Sequence, residues 1–164
     1  MGVGLEDLRM LQDAEAIADG TWRQVVEWDQ FARDVVGGQL ARAADSIGAN
    51  IAEAFGRFHY GEKLQFLYYA RGSLFETKYW LNRALARRLM AHEQVQEYVT
   101  RLTGLARQLN AFVGSLKSQR HSGSKPSTSV RESPAEYVTY TFDDAFLPLF
   151  SEAELERLQT VPNL

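Results

Sequence analysis

The sequence predicts an all-α fold, an antiparallel up-down four-helix bundle with a C-terminal extension. Two observations carry this. Apolar residues recur every three or four positions through four successive stretches joined by short turns, the pattern of amphipathic helices folding back on one another. The stretch 39–57, QLARAADSIGANIAEAFGR, also sets an ordered polar row beside its apolar row. A helix open to water has no use for such a row. One enclosed by neighbours needs it, because polar groups removed from water must find partners.

The first helix is expected over residues 5–27, from Leu5, Leu8, Leu11, Ile17, Trp22, Val25 and Val26. Gly20 sits inside it, at about 1 kcal/mol relative to alanine, and suggests a bend at Gly20-Thr21. Asp29 fits the N-cap of the next helix. Gly37-Gly38 weaken that helix's first turns, which places its well-formed part from Gln39 to Arg57. FHYG at 58–61 supplies the turn. The third helix is then expected over 62–90, with the apolar row Leu64, Leu67, Ala70, Leu74, Leu81, Leu85 and Leu89. His92 serves as a turn residue, and the fourth helix runs from Glu93 through Leu116. Three regions follow: a bundle over 1–120, a Ser-, Pro- and Gly-rich linker over 121–134, and a docking tail over 135–164. In the tail, Tyr137 to Phe142 are β-formers, Phe146, Leu147, Leu149 and Phe150 cluster, and Ser151 with Glu154 form a capping box for a short helix at 152–159.

The central helix carries Leu40, Ala44, Ile47, Ile51, Ala54 and Phe58 on its apolar row. If it and the third helix are antiparallel about a turn near residue 59 or 60, Gly48 comes level with Gly72, Arg57 with Glu62, Asn50 with Ser73, and Arg42 with Glu76. The expected polar seam is Arg42, Ser46, Asn50, Glu53, Arg57, Ser73 and Glu76. It holds an Arg42–Glu76 ion pair, an Asn50–Ser73 contact and a Glu53–Arg57 pair at i,i+4.

A length of 164 residues suits one domain with an appendage. No apolar run reaches the roughly 18 residues that a membrane span needs. The N-terminus carries acids where a secretory signal carries basic residues, and the chain has no cysteine, which together suit a cytoplasmic protein. The net charge of −3 is uneven. Residues 1–34 hold three basic against eight acidic groups, 71–107 seven against three, and 121–164 three against seven. Either these patches meet between helices or subunits, or Arg71, Lys78, Arg83, Arg87, Arg88, Arg101 and Arg107 bind the phosphates of RNA or DNA. Phe66, Tyr68, Tyr69, Phe75, Tyr79 and Trp80 crowd more than one face of the third helix, and the surplus points to a subunit interface, with tail docking as the competitor.

Two motifs carry a resemblance. R-A-A-x-S-I-x-x-N-I-A-E-x-x-G-R reads from Arg42 to Arg57, and A-x-G-S-x-x-E from Ala70 to Glu76. Over about residues 5–118 the chain resembles the four-helix-bundle family encoded in intervening sequences of bacterial 23S rRNA genes. It is similar also to accessory proteins of diversity-generating retroelements. The usual glycine after A-E is Ala54 here. The resemblance implies a homo-oligomeric ring, typically a pentamer, with no established catalysis. The accessory members bind nucleic acid and a reverse transcriptase and are basic, whereas this chain is acidic.

Catalytic chemistry finds little support. None of His59, His92 and His121 has a glutamate three residues before it, as a di-metal bundle requires, so no metal is expected. No nucleophile elbow, P-loop or dinucleotide turn is present, and no cofactor is expected. Arg87 and His92 match the Arg-x4-His spacing of the HEPN ribonucleases. The simpler reading has His92 end the third helix, with Arg87 and Arg88 favourable near its C-terminus. The sequence therefore reads as a non-enzymatic, ring-forming scaffold or adaptor. It would bind nucleic acid beside a reverse transcriptase or another nucleic-acid enzyme. The alternatives are a HEPN-like ribonuclease and a protein-only adaptor that recruits its partner through residues 137–159.

Overall fold

A computed structural model describes residues 8–122, 149–154 and 156. Met10, Leu11, Ala14, Ile17, Thr21 and Val25 return to one side at helical spacing, and the chain winds there into α1 (Arg9–Val26) with that stripe buried. The helix runs through Gly20. A Cβ at that position would stand 2.9 Å from the Tyr98 hydroxyl, so the glycine admits a ring from the last helix.

Asp29 caps the next helix as expected, its carboxylate accepting from the Ala32 amide at 3.0 Å. The short α2 (Gln30–Ala32) passes into a π-helical turn at Arg33–Gly37 and then α3 (Gly38–Gly56). The weak first turns thus take the form of a wider helical turn. Gly37 is buried, and a Cβ there would come within 2.5 Å of Val25 Cγ1, so this glycine lets α1 approach closely.

Helix α4 (Tyr60–Ala86) follows a three-residue connection, and α5 (His92–Ser122) a five-residue one. The second connection opens with a Schellman stop. Leu89 N–H donates to Ala84 O and Arg88 N–H to Leu85 O, both at 2.9 Å, with Arg88 in the left-handed region at φ 58°. His92 begins α5 rather than sitting in the turn.

Helix α3 packs against both α1 and α4, and α5 packs against both α4 and α1. Ile17, Ile47, Ile51, Leu67, Leu74, Leu81, Leu102 and Leu109 fill the space between. At the edges Gln108 donates to Asp13 at 2.6 Å and Gln94 to Gln24 at 2.9 Å, tying α5 to α1. Among the described residues the fold is all-α, without a strand. The β-forming run at 137–142 and the linker from 123 onward lie outside the described residues.

Three expectations fail, two of them by an error of helical phase and one because the helix stops early. Gly48 faces α1, with Ala14 and Leu11 each 3.7 Å from where its Cβ would be, while Gly72 is exposed with open space around it. Phe58 leaves the apolar row and is 97% exposed, because α3 ends at Gly56 and Arg57 turns extended at φ −82°, ψ 138°. Arg42 and Glu76 are both exposed and form no ion pair. The inward positions of α4 opposite α3 belong to Ser73 and Thr77.

Candidate interaction surfaces

The polar seam between α3 and α4 is built mostly from groups that bond their own helix. Ser46 Oγ donates to Arg42 O at 2.7 Å, Asn50 Nδ2 to Ser46 O at 2.8 Å, Ser73 Oγ to Tyr69 O at 3.1 Å and Thr77 Oγ1 to Ser73 O at 2.7 Å. Back-bonding of this kind satisfies a buried hydroxyl without an outside partner. Asn50 Nδ2 also reaches across to Ser73 Oγ at 3.5 Å, so the expected contact is present and long. Glu53 pairs with Arg57 at i,i+4. Arg57 also stacks over the Phe66 ring at 4.7 Å and makes no ion pair with Glu62.

The aromatic surplus on α4 divides in two. Phe66 and Trp80 pack on the core, each edge-on to a neighbour: Phe66 to Tyr69 at 5.7 Å and Trp80 to Tyr79 at 5.1 Å. Tyr69 is 50% exposed off to one side, and Tyr68, Phe75 and Tyr79 stay 48%, 39% and 55% exposed. Their spacing, with Gly72 between, is that of one helical stripe, on the side away from Leu67, Ala70, Leu74 and Leu81. Arg71 lies over the Phe75 ring at 5.5 Å and Arg83 over Tyr79 at 5.8 Å, so the outer face of α4 is an aromatic ridge flanked by guanidinium groups.

The seven basic residues proposed for phosphate binding do not share one environment. Lys78 is claimed by the tail. Its amine donates to Leu149 O at 2.6 Å, holds the Glu154 carboxylate at 2.8 Å and sits 4.8 Å from the Phe150 ring centroid. Leu149 and Phe150 are 5% and 4% exposed and belong to the core, so this part of the tail docks on its own chain. The expected capping box forms, with Glu154 N–H donating to Ser151 Oγ at 3.2 Å and Ser151 N–H to Glu154 Oε2 at 2.9 Å. Partial burial pushes the Glu154 carboxyl up, but the bonds from Lys78 and Ser151 outweigh it and leave the group below its ordinary value of 4.5. An acidic tail residue thus meets the basic middle of the chain at one site. Arg101 pairs with Glu97, while Arg87, Arg88 and Arg107 are exposed.

His92 Nε2 is buried without a hydrogen-bond partner, and Arg87 lies exposed in the turn before it. The described residues hold no cluster of three or more metal-ligating side chains. None of their helices is long and apolar enough to cross a membrane. Between α1 and α3 runs an open groove of about 310 Å³, floored by Ala14, Ala18, Gly48 and Ala52 and edged by Glu15, Asp19 and Asp45. Sequence reasoning missed this groove, because it paired Gly48 with α4. The signal was present in the i,i+4 repeat of Ala44, Gly48 and Ala52, a small-residue track that fits a close neighbour on either side.

Among curated proteins none matches the chain. A family profile described as 23S rRNA-intervening sequence protein matches residues 6–111, which takes in α1 to most of α5 and leaves the tail outside. The chain belongs to the 23S rRNA-intervening sequence protein family.

Proposed function

We propose that this chain is a non-enzymatic scaffold that assembles with copies of itself, each subunit an antiparallel four-helix bundle and the assembly a ring of the pentameric kind. The observation that carries the reading is the exposed row Tyr68, Phe75 and Tyr79 with Arg71 and Arg83 stacked on it. Aromatic and arginine side chains are the groups enriched in protein interfaces. A contiguous exposed apolar patch on a small helical protein calls for a cover. The test is the molar mass in solution by light scattering: a multiple of the 18.6 kDa chain supports assembly, and a monomer at every concentration refutes it.

Nucleic-acid binding is the extension of this reading, through Arg87, Arg88, Arg101 and Arg107, with Arg71 and Arg83 given to the assembly face, in an accessory role beside a nucleic-acid enzyme such as a reverse transcriptase. Lys78 drops out of the set because the tail neutralises it. If these arginines bind phosphates, log affinity falls against log salt with a slope of about −0.7 to −0.9 per phosphate contacted. A flat salt response leaves a protein-only scaffold.

A further inference from the structure

The ridge on α4 and the groove between α1 and α3 are opposites. The ridge projects rings from Tyr68 to Tyr79, about 16 Å of helix at 1.5 Å per residue. The groove is floored by alanine and glycine and is recessed by about 310 Å³. Among the described residues, neither Arg71 nor Arg83 has a carboxylate partner, and Glu15, Asp19 and Asp45 have no cationic one. All three carboxylates are exposed. Trp22 and Val26, both exposed, continue the stripe of Glu15 and Asp19 along α1 and extend an apolar surface from one end of the groove.

We propose that the aromatic ridge of α4 in one copy docks in the α1–α3 groove of a second copy, with Arg71 and Arg83 meeting its acidic rim. This rests on the self-assembly reading and names the two faces that would meet. Charge and shape choose the pairing. Ridge against ridge brings the arginines of two copies to the same surface, and groove against groove opposes carboxylates and leaves both floors empty. Like charges brought together suppress a contact, and opposite ones steer it. Ridge in groove neutralises both sets and fills the recess with rings. A contact between two different faces is heterologous: a pair leaves a free groove on one copy and a free ridge on the other, so the assembly grows until it closes as a ring or runs on as a filament.

The test is a charge exchange in the full-length chain, read by light scattering at a concentration where the unaltered protein is assembled. Arg71→Glu/Arg83→Glu sets acid against acid, and Asp19→Arg/Asp45→Arg sets base against base. Each pair of substitutions is expected to weaken assembly by about 100-fold. All four together restore opposite charges and are expected to bring the mass back. Arg83, Asp19 and Asp45 are exposed and Arg71 is half-buried beside Phe75, and thermal melts followed by circular dichroism check folding. If a charge variant fails to fold, Tyr79→Ser on the ridge and Ala49→Arg beside the groove make the same comparison, each expected to abolish assembly. Assembly indifferent to the groove substitutions, or a fourfold variant no better assembled than the ridge variant, overturns the proposed contact while leaving self-assembly standing. An unaltered chain that is monomeric throughout refutes the self-assembly reading itself.

Discussion

Helices α3 and α4 pack against each other along most of their lengths, yet they treat their surfaces differently. Helix α3 buries Leu40, Ala43, Ala44, Ile47, Ile51 and Ala54 on one side and carries polar or small residues over much of the rest. Helix α4 buries a comparable stripe and then sets Tyr68, Phe75 and Tyr79 on the opposite side. A helix needs one apolar face to fold onto a bundle. Helix α3 leaves Phe55 exposed near its end and small residues along the groove toward α1, but no row of rings. Helix α4 carries a second apolar face that folding leaves uncovered, and that face is where function beyond folding is to be sought.

Substitutions on the two helices sharpen this contrast. Ile47→Ala, at a fully buried position of α3, is expected to cost about 2–5 kcal/mol in denaturant unfolding. Phe75→Ala and Tyr79→Ala, on the outer face of α4, are expected to stay within about 0.5 kcal/mol under monomeric conditions and to abolish assembly. A large stability loss from Tyr79→Ala in the monomer would break the contrast.

The seam between the helices gives the next effect. Asn50→Ala removes the Asn50–Ser73 bond across the seam, and a loss of about 0.5–1.5 kcal/mol is expected. Glu76→Ala is expected to change stability by less than about 0.5 kcal/mol, because Glu76 is exposed and unpaired with Arg42. A larger effect at Glu76 than at Asn50 would restore the ion pair to the seam.

At the end of α4, Arg88→Gly relieves a left-handed residue that bears a side chain, and a gain of about 0.5–1 kcal/mol is expected from thermal melts. No gain would show that the Arg88 side chain repays its backbone.

The tail makes a pH-dependent prediction. The folded Glu154 carboxyl lies below its ordinary value of 4.5, so its stabilising contribution is present above that value and is lost as pH falls through the folded one. Amide exchange at Ser151 and Glu154, corrected for intrinsic rates, should accelerate on acidification and in Lys78→Met at neutral pH. Protection that ignores both changes would place the anchor in Leu149 and Phe150 alone.

The helices, the Asp29 cap and the capping box in the tail were legible because each depends on residues a few positions apart. The Asn50–Ser73 contact was legible because a short turn fixes which levels of two helices face each other. Arg42–Glu76 and Gly48–Gly72 were misjudged because the same turn fixes level but not rotation. An error of one position, about 100° of helix, moves a residue from the seam to the solvent or to another neighbour. The π-helical turn at Arg33–Gly37 was beyond a period-3.6 reading, although the two glycines marked its place. The aromatic excess on α4 was readable as an excess. The docking of Leu149 and Phe150 beside Lys78, a contact across some 70 residues of sequence, is one that no local pattern encodes.

Hydroxyl-radical footprinting across a dilution series tests most directly whether the outer face of α4 is covered by another copy. Labelling of Tyr68, Phe75 and Tyr79 should be slow at high protein concentration and rise on dilution as the assembly dissociates. Labelling of these three rings that stays the same at every concentration would contradict the account.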